Sequence, residues 1–400
     1  MTVQSLLILG STGTIGVNTL DVVARHPDRF KVYGLVAGRN IDRLYEQAEA
    51  HTPEVLVIAD DDAYTRWLAD ERSAKLAKAL GYTPTVLGQA DLEQLCASPE
   101  VDTVVAAIVG AAGLRPTLKA VQAGKRVLLA NKESLVLAGR FMIEAGRLSG
   151  AQLLPVDSEH NAIYQCLPSD YSAARAQTFG IERLVLTASG GPFRTKPLSE
   201  LGVVTPAQAV AHPNWVMGPK ISVDSATMAN KGLELIEALW LFGLDHTRLS
   251  VLIHPQSIVH SLVEYKDGSM LAQLSCPDMR TPIAHVLGLP DRIASGSPRL
   301  NLAQIARLDF EEPDLNRFPM LGLAMDSLRK ADTLGPVFNA ANEVAVDLFL
   351  NRGLKYPDIV RMVGHCLERF AGETLQTLDE AFDLDQRVRA HAQAWGASHA

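Results

Sequence analysis

The sequence has few cysteines and no long apolar run. Its four cysteines, Cys96, Cys166, Cys276 and Cys366, lie far apart without a CxxC pair, which disfavours a zinc ribbon or a disulfide framework. No stretch approaches the roughly 18 apolar residues of a membrane span, and the N-terminus lacks the pattern of a signal peptide. We therefore expect reduced cysteines, no membrane partner and a cytoplasmic location.

An excess of basic residues is also lacking. The formal net charge is −8, which argues against a nucleic-acid partner, because such proteins usually carry a basic surface. An anionic ligand would instead need a local cluster of donors. A chain of 400 residues exceeds what one hydrophobic core usually serves, so about two or three domains are expected.

The first part of the chain has the sequence pattern of an α/β fold. Short Val/Ile/Leu runs alternate with polar, helix-length stretches, beginning with LLILG, FKVYGLVAG and VLVIA and ending with QLLPVD. Continuous apolar strands separated by helices indicate a parallel sheet that is covered on both faces. We predict a Rossmann-like, doubly wound parallel sheet over residues 1–156.

The rest of the chain reads differently. ERLVLTA and the runs on either side of Asp267-Gly268, a strong hairpin signal, predict a central α+β catalytic domain at 157–287. Residues 288–316 begin with prolines, glycines and serines without periodicity and are predicted to be a linker. Apolar residues at helical spacing predict a C-terminal helical bundle at 317–400.

A glycine-rich turn follows the first predicted strand. Gly10, Gly13 and Gly16 lie between that strand and an amphipathic helix, the arrangement that brings a helix N-terminus to a pyrophosphate, although a plain tight turn remains the alternative. At the end of the second strand Arg39, flanked by Gly38 and Asn40, can pair with a 2′-phosphate, which favours NADPH over NADH. The alternative is that Arg39 is a solvated surface cation.

Further polar residues follow later strands. Asn131, Lys132 and Glu133 come directly after KRVLLA. In an open α/β sheet the ligand lies beyond the carboxyl ends of the strands. We expect this loop to surround the nicotinamide half of the dinucleotide.

Two carboxylates end the last strand of this region. Asp157 and Glu159 are two residues apart, so in an extended segment both side chains would point to one side. Oxygen ligands without cysteine select Mg²⁺ or Mn²⁺ rather than zinc. The alternative is that the pair caps a following helix. Glu234 is the third predicted metal ligand, whereas Glu237 is predicted to be a surface charge.

Three polar residues of KISVDSATMANKGLE offer the groups that bind a phosphate dianion. Ser225, Asn230 and Lys231 offer hydroxyl, amide and ammonium groups. Ser189, followed by two glycines, adds a hydroxyl and accessible backbone N–H groups, unless that loop is a plain turn. His212 could bind the same anion.

An aromatic residue and a thioether follow His212 closely. Trp215 and Met217 stand in a segment rich in Gly and Pro, HPNWVMGP. Such a segment suits a lid that excludes water. Core packing of Trp215 is the alternative.

Together these motifs carry a family resemblance. GSTGTIG, LLANKESLV, PVDSEHNAI, TASGGPF, HPNWVMG, KISVDSATMANKGLE, IHPQSIVHS and FNAANE occur in this order, and the chain resembles the 1-deoxy-D-xylulose 5-phosphate reductoisomerase family. The resemblance implies NADPH- and metal-dependent isomerisation and reduction of 1-deoxy-D-xylulose 5-phosphate to 2-C-methyl-D-erythritol 4-phosphate in non-mevalonate isoprenoid synthesis. It also implies a homodimer and a mobile flap at 211–220 that contains Trp215 and Met217.

The resemblance assigns roles residue by residue. It implies that the metal ligands, which are also catalytic, are Asp157, Glu159 and Glu234. It places these residues on the phosphorylated sugar: Lys132, Ser158, Glu159, Ser189, His212, Trp215, Ser225, Asn230, Lys231 and Glu234, with Lys132 also catalytic. It places these residues on NADPH: Thr12, Gly13, Thr14, Ile15, Gly38, Arg39, Asn40, Asn131, Glu133 and Gly218.

Two positions depart from the family pattern. Arg39 stands where Lys is common, which should preserve the preference for NADPH, and Pro219 stands where a basic residue is frequent, which should stiffen the flap. A plain NADP-dependent dehydrogenase is the main alternative enzyme, and a non-catalytic NADP-binding sensor is the alternative of another class. Neither explains the carboxylates and the phosphate loops.

Overall fold

A computed structural model describes residues 3–211, 213, 215 and 218–399. Contacts group the chain into two compact units. The first comprises Met1–Ser134, Met142–Asn161 and Asp278–Pro298. The second comprises Leu135–Phe141, Ala162–Pro277 and Arg299–Ala400. Each unit is therefore built from three separate segments of the sequence.

The β-strands are short and mostly apolar. In chain order they are β1 Gln4–Leu9, β2 Phe30–Ala37, β3 Val55–Ile58, β4 Thr85–Leu87, β5 Thr103–Ala106, β6 Arg126–Leu129, β7 Gln152–Pro155, β8 Ile181–Ala188, β9 Leu249–Ile253, β10 Val259–Tyr265 and β11 Met270–Leu274.

The α-helices alternate with the strands in the first part of the chain and dominate the last part. In chain order they are α1 Thr14–Ala24, α2 Ile41–His51, α3 Asp61–Ala69, α4 Arg72–Leu80, α5 Leu92–Ala97, α6 Leu114–Gln122, α7 Lys132–Ser149, α8 Ser158–Cys166, α9 Pro206–Ala209, α10 Pro219–Thr227, α11 Ala229–Phe242, α12 Arg280–Gly288, α13 Leu302–Ile305, α14 Pro319–Ser327, α15 Ala331–Asn351, α16 Tyr356–Arg369 and α17 Leu378–Ala397.

The first unit contains a seven-stranded sheet in the order β4-β3-β2-β1-β5-β6-β7. All of its strand pairs are parallel. The residues Leu6 to Leu9 of β1 are fully buried, so both faces of the sheet are covered. The strand order reverses at β1, which creates a switch point between the carboxyl ends of β1 and β5. The predicted doubly wound, Rossmann-like sheet is confirmed.

The second unit contains a four-stranded sheet in the order β11-β10-β8-β9. β10 runs antiparallel to β8 and β11, whereas β8 and β9 are parallel. The predicted turn joins β10 to β11: Gly268 has φ +84°, and the N–H of Tyr265 donates to the Ser269 carbonyl at 2.9 Å. The mixed sheet with its helices is the predicted α+β arrangement.

The last part of the second unit is helical, as predicted. α15 packs against α16 and α17. The predicted stripe on α16 is buried, with Ile359, Met362, Val363 and Cys366 fully inaccessible. Within the described residues, no helix combines the length and apolar character needed to cross a bilayer.

The segment predicted as a linker contains some regular structure. It includes α13 and an isolated antiparallel bridge between Ile253 and Glu311. Contacts assign its first residues to the first unit and the remainder to the second. The sequence-based boundaries at 156, 287 and 316 stay a prediction.

Candidate active site

The glycine-rich turn after β1 is sterically required in the first unit. Gly10 has φ +79°, and a Cβ there would lie 2.6 Å from the carbonyl oxygen of Ala107, which follows β5. A Cβ on Gly16 would lie 2.4 Å from the Cα of Ser11. The turn thus closes directly over the switch point.

The N-terminus of α1 is exposed and has no side-chain cap. Gly13 is the N-cap and makes no side-chain cap hydrogen bond, and both Gly13 and Thr14 are exposed. The first N–H groups of a helix have no partner within the helix and favour a negative charge. The four predicted NADPH residues Thr12 to Ile15 therefore lie around the N-terminus of α1.

Arg39 and its neighbours follow β2 at the same edge of the sheet. All of Gly38, Arg39 and Asn40 are exposed. Nε of Arg39 lies 2.7 Å from Oδ2 of Asp60, and this hydrogen bond lowers the pKa of Asp60. Asn40 caps α2 by accepting from the N–H of Arg43 at 3.1 Å. Asp60 therefore orients Arg39, whose side chain remains exposed.

The start of α7 pins the loop after β5. Oδ1 of Asn131 accepts from the N–H of Ser134 at 2.6 Å, while Nδ2 donates to the Gly110 carbonyl at 2.9 Å. Lys132 is the first residue of α7, and both Lys132 and Glu133 are buried. The loops after β5 and β6 are thereby fixed at the carboxyl edge of the sheet.

Asp157 holds Lys132 at this edge. Nζ of Lys132 lies 3.0 Å from Oδ2 of Asp157, and Nδ1 of His160 lies 3.2 Å from Oδ1. The Ser158 hydroxyl donates to Oε2 of Glu159 at 2.7 Å. The first unit thus collects two carboxylates and one ammonium group where β6 and β7 end.

The expected extended geometry of the two carboxylates is wrong. Ser158 begins α8, so Glu159 lies in the first turn of a helix. Oδ1 of Asp157 accepts from the N–H of Glu159 at 3.2 Å, which is a capping contact. Capping and metal binding are compatible here, because a carboxylate has more lone pairs than the cap uses.

In the second unit, α11 presents the other predicted acidic ligand. Glu234 is buried, with 1% exposure. Its carboxylate accepts hydrogen bonds from Asn230 and from the ammonium group of Lys231, as expected for residues three and four positions apart on a helix. The predicted surface location of Glu237 is wrong: it is 1% exposed, because it follows Glu234 by one turn on the inward face of α11.

The loop after β8 approaches α10 in the same unit. Gly190 and Gly191 have φ values of +79° and +64°, and the hydroxyl oxygen of Ser189 accepts from the N–H of Gly191 at 3.1 Å. A Cβ on Gly191 would lie 2.6 Å from the carbonyl oxygen of Ser225. The structure therefore brings the loop that contains Ser189 next to the helix that contains Ser225.

Part of the predicted flap lies outside the described residues, including His212 and Met217. Trp215 is half-buried, and its ring centroid lies 6.4 Å from that of His260. Gly218 is the exposed N-cap of α10, and Pro219 is its first residue. Proline is favoured at this position, since the N–H that it lacks would have no helical partner.

Comparison with known proteins decides the family. Three models match residues 6–139, 153–242 and 274–391, and they describe 1-deoxy-D-xylulose 5-phosphate reductoisomerase and its C-terminal domains. The reductoisomerase of Laribacter hongkongensis is 54% identical over 390 residues, 97% of this chain and 98% of that protein. The enzyme of Pseudomonas putida strain W619 is 52% identical and covers 99% of each chain.

The chain belongs to the 1-deoxy-D-xylulose 5-phosphate reductoisomerase family. Solved structures of reductoisomerases agree. A DOX-P reductoisomerase in complex with NADPH, fosmidomycin and magnesium has a TM-score of 0.92 at 45% identity and covers 99% of this chain and 98% of that one. The Zymomonas mobilis reductoisomerase in complex with NADPH has a TM-score of 0.88 at 44% identity, with 99% of each chain covered.

Membership of the reductoisomerase family confirms the resemblance that the motifs carried. The roles of individual residues stay predictions. His160 received no role from the sequence, yet it is fully buried against Asp157. Its position three residues after Asp157 was the available signal, because residues three apart meet once the segment is helical.

Proposed function

We propose that this chain catalyses the NADPH- and divalent-metal-dependent isomerisation and reduction of 1-deoxy-D-xylulose 5-phosphate to 2-C-methyl-D-erythritol 4-phosphate. The observation that carries the proposal is the family match, with more than half of the residues identical over nearly the full length of a reductoisomerase. The enzyme is an NADPH-dependent oxidoreductase of isoprenoid synthesis.

NADPH binds to the first unit along the carboxyl edge of its sheet. The exposed N-terminus of α1 faces the pyrophosphate, and Arg39, oriented by Asp60 at 2.7 Å, pairs with the 2′-phosphate. Asn131 and Glu133 bind its nicotinamide end. Gly218, which belongs to the second unit, is a further proposed NADPH ligand. Bound there, NADPH supplies the hydride that reduces the rearranged aldehyde.

Asp157, Glu159 and Glu234 bind the divalent cation. The donor set fits, since all three offer carboxylate oxygens and no sulfur, the ligands that Mg²⁺ and Mn²⁺ prefer. A cation held there stabilises the negative charge that develops on the sugar oxygens during the rearrangement. The metal in the cell is either Mg²⁺ or Mn²⁺.

Lys132 and Ser158 lie beside the reacting carbons. The ammonium group of Lys132, held 3.0 Å from Asp157, keeps a positive charge at the end of β6 and steadies the developing oxyanion. Being buried, this charge acts in a medium of low dielectric constant, where its field is stronger than in water.

The phosphate of the substrate is bound away from the reacting carbons. Its ligands are Ser189, His212, Ser225, Asn230 and Lys231. The backbone of the loop at Gly190 and Gly191, with positive φ at both residues, adds N–H donors. Trp215 and Met217 close over the substrate and exclude water. Binding energy from the phosphate orients the sugar for rearrangement.

The decisive experiment mixes the purified chain with deoxyxylulose phosphate, NADPH and Mn²⁺ and follows the loss of NADPH absorbance. We expect loss only when all three are present, and a branched product by NMR. Reduction without a change in the carbon skeleton would support a plain dehydrogenase instead. No reaction with either metal would contradict the proposal.

The chain is also proposed to form a homodimer through β11. This strand lies at the edge of the four-stranded sheet, and among the described residues it pairs only with β10. Met270 and Leu271 are 47% and 49% exposed. An exposed apolar edge strand can pair with its own copy about a twofold axis.

Analytical ultracentrifugation tests the dimer. We expect Leu271→Lys to produce monomers, because a charged side chain on an edge strand opposes pairing. Leu302→Lys is the control, since Leu302 is 57% exposed on α13. A wild-type monomer, or an intact dimer of the Leu271 variant, would contradict this interface.

A further inference from the structure

The short helix α10 carries Ser225, a proposed ligand of the substrate phosphate. The helix has only nine residues, and an isolated helix of that length is marginal in water. Its position must therefore come from tertiary contacts. Those contacts also decide where the Ser225 hydroxyl lies.

Asp224, next to Ser225, makes the first of these contacts. Its side chain is 1% exposed. Nδ2 of Asn342 donates to its Oδ1 at 2.8 Å, and Nζ of Lys220 lies 2.9 Å from its Oδ2. A buried carboxylate is tolerated only when it is paired and hydrogen-bonded. Asp224, in the second turn of α10, thus joins this helix to the helix α15.

A second contact holds the end of the same helix. The hydroxyl of Tyr356 donates to the carbonyl of Ala226 at 2.8 Å, and the Tyr356 side chain is buried on α16. Successive helical residues point about 100° apart, so Asp224 and Ser225 present different faces of α10. One face is anchored while the next remains available to a ligand.

Asn342 belongs to FNAANE, a stretch that the proposed site residues do not include. It is fully buried in the middle of α15. We propose that Asn342, acting through Asp224, is a positioning residue for the substrate phosphate. The proposal rests on the proposed function, because it assigns the phosphate to Ser225. Loss of the Asn342 hydrogen bond frees α10 to shift and moves the hydroxyl away from the phosphate.

Steady-state kinetics of Asn342→Ala test the proposal against a matched control. We expect the KM for deoxyxylulose phosphate to rise about tenfold, with the KM for NADPH within about twofold of wild type. Asn339→Ala is the control, because Asn339 is equally buried on α15 and donates instead to Glu343 on its own helix, at 3.2 Å. It should lose comparable thermal stability without the rise in KM.

A second readout does not need turnover. Inorganic phosphate should raise the Tm of the wild type and of Asn339→Ala, relative to chloride at equal ionic strength, and should fail to raise the Tm of Asn342→Ala. If Asn342→Ala does not fold, the milder Asn342→Ser should give an intermediate KM and an intermediate phosphate effect.

The proposal is overturned if Asn342→Ala keeps the wild-type KM and phosphate response, or if Asn339→Ala changes both to the same extent. A wild-type chain that binds phosphate but does not turn over deoxyxylulose phosphate would count against the proposed function alone.

Discussion

At the scale of single residues, four charged side chains with little exposure form two ion pairs. Within the first unit Lys132 lies against Asp157, and within the second Lys231 lies against Glu234. All four side chains have little exposure. A buried carboxylate is stabilised by such a partner, and removing either member leaves an uncompensated charge. Each proposed metal carboxylate in these pairs therefore also holds a lysine that is a proposed substrate ligand.

Glu234→Gln should lower turnover at least about a hundredfold, because it removes one proposed metal ligand and the charged partner of Lys231. Titration of activity with Mn²⁺ and Mg²⁺ measures the effect. Glu182→Gln is the control, since Glu182 is exposed on β8. Normal turnover of the Glu234 variant in limiting Mn²⁺ would remove Glu234 from the metal site.

Arg39→Ala should raise the KM for NADPH by about tenfold or more, since it removes the proposed charge-assisted contact with the 2′-phosphate. The KM for NADH should not change, because NADH has no 2′-phosphate. The KM for NADH of the same variant therefore serves as the control. An equal loss with both would show that Arg39 acts on the fold of the loop rather than on the phosphate.

The residues of the candidate site could be predicted from the sequence better than the contacts that they make. The sequence indicated Arg39 and the carboxylates because their chemistry follows from type and from position after a strand. The contact of Arg39 with Asp60 could not be predicted, since it joins the ends of two strands 21 residues apart. The role of Asp157 as a cap depended on where α8 begins, which the sequence left open.

At the scale of elements, the long apolar strands were predicted from the sequence, whereas a short strand with little apolar character was missed. β4 has only three residues, and none of them is fully buried. It lies at the edge of the sheet, where pairing on one side suffices and the apolar signal is weak. The start of α8 was left open between an extended segment and a capped helix, because Asp157 suits both a strand end that binds a metal and the N-cap of a helix.

Gly191→Ala should raise the KM for the sugar phosphate by about tenfold, because φ is +64° there and the new Cβ would collide with the Ser225 carbonyl at 2.6 Å. The loop and α10 would have to separate. Gly202→Ala is the control, since a Cβ at Gly202 meets no atom within 4 Å. Circular dichroism and kinetics of both variants check the prediction, and equal KM values would contradict it.

At the scale of the whole molecule, each compact unit joins segments that are distant in the sequence. α12 packs against α1, β6 and β7, and Arg280 at its start lies 2.9 Å from Asp21 of α1. Local patterns identify the fold class of each region, because periodicity is a local property. They do not reveal which distant segment completes a unit, since that depends on contacts between residues hundreds of positions apart.

α12 also carries the group that should make the stability of the first unit depend on pH. His285 is buried, and burial, reinforced by Arg292 and Arg126, lowers its pKa to about 4. In the unfolded chain its pKa is about 6.5. Between these values the unfolded state binds a proton that the folded state does not. The contribution of neutral His285 to stability is therefore complete above its pKa in the unfolded chain. It is lost as the pH falls toward its pKa in the folded protein.

From about pH 7.5 to about pH 5, this group alone should lower the free energy of unfolding by about 2 kcal/mol. Urea denaturation at several pH values measures the change. His285→Gln cannot titrate, so its stability should fall less over the same interval, although it starts lower at neutral pH because a buried ring is lost. His246→Gln, at a half-exposed position, should follow the wild type. Parallel curves for the wild type and the His285 variant would mean that His285 takes up its proton in the folded state as readily as in the unfolded chain.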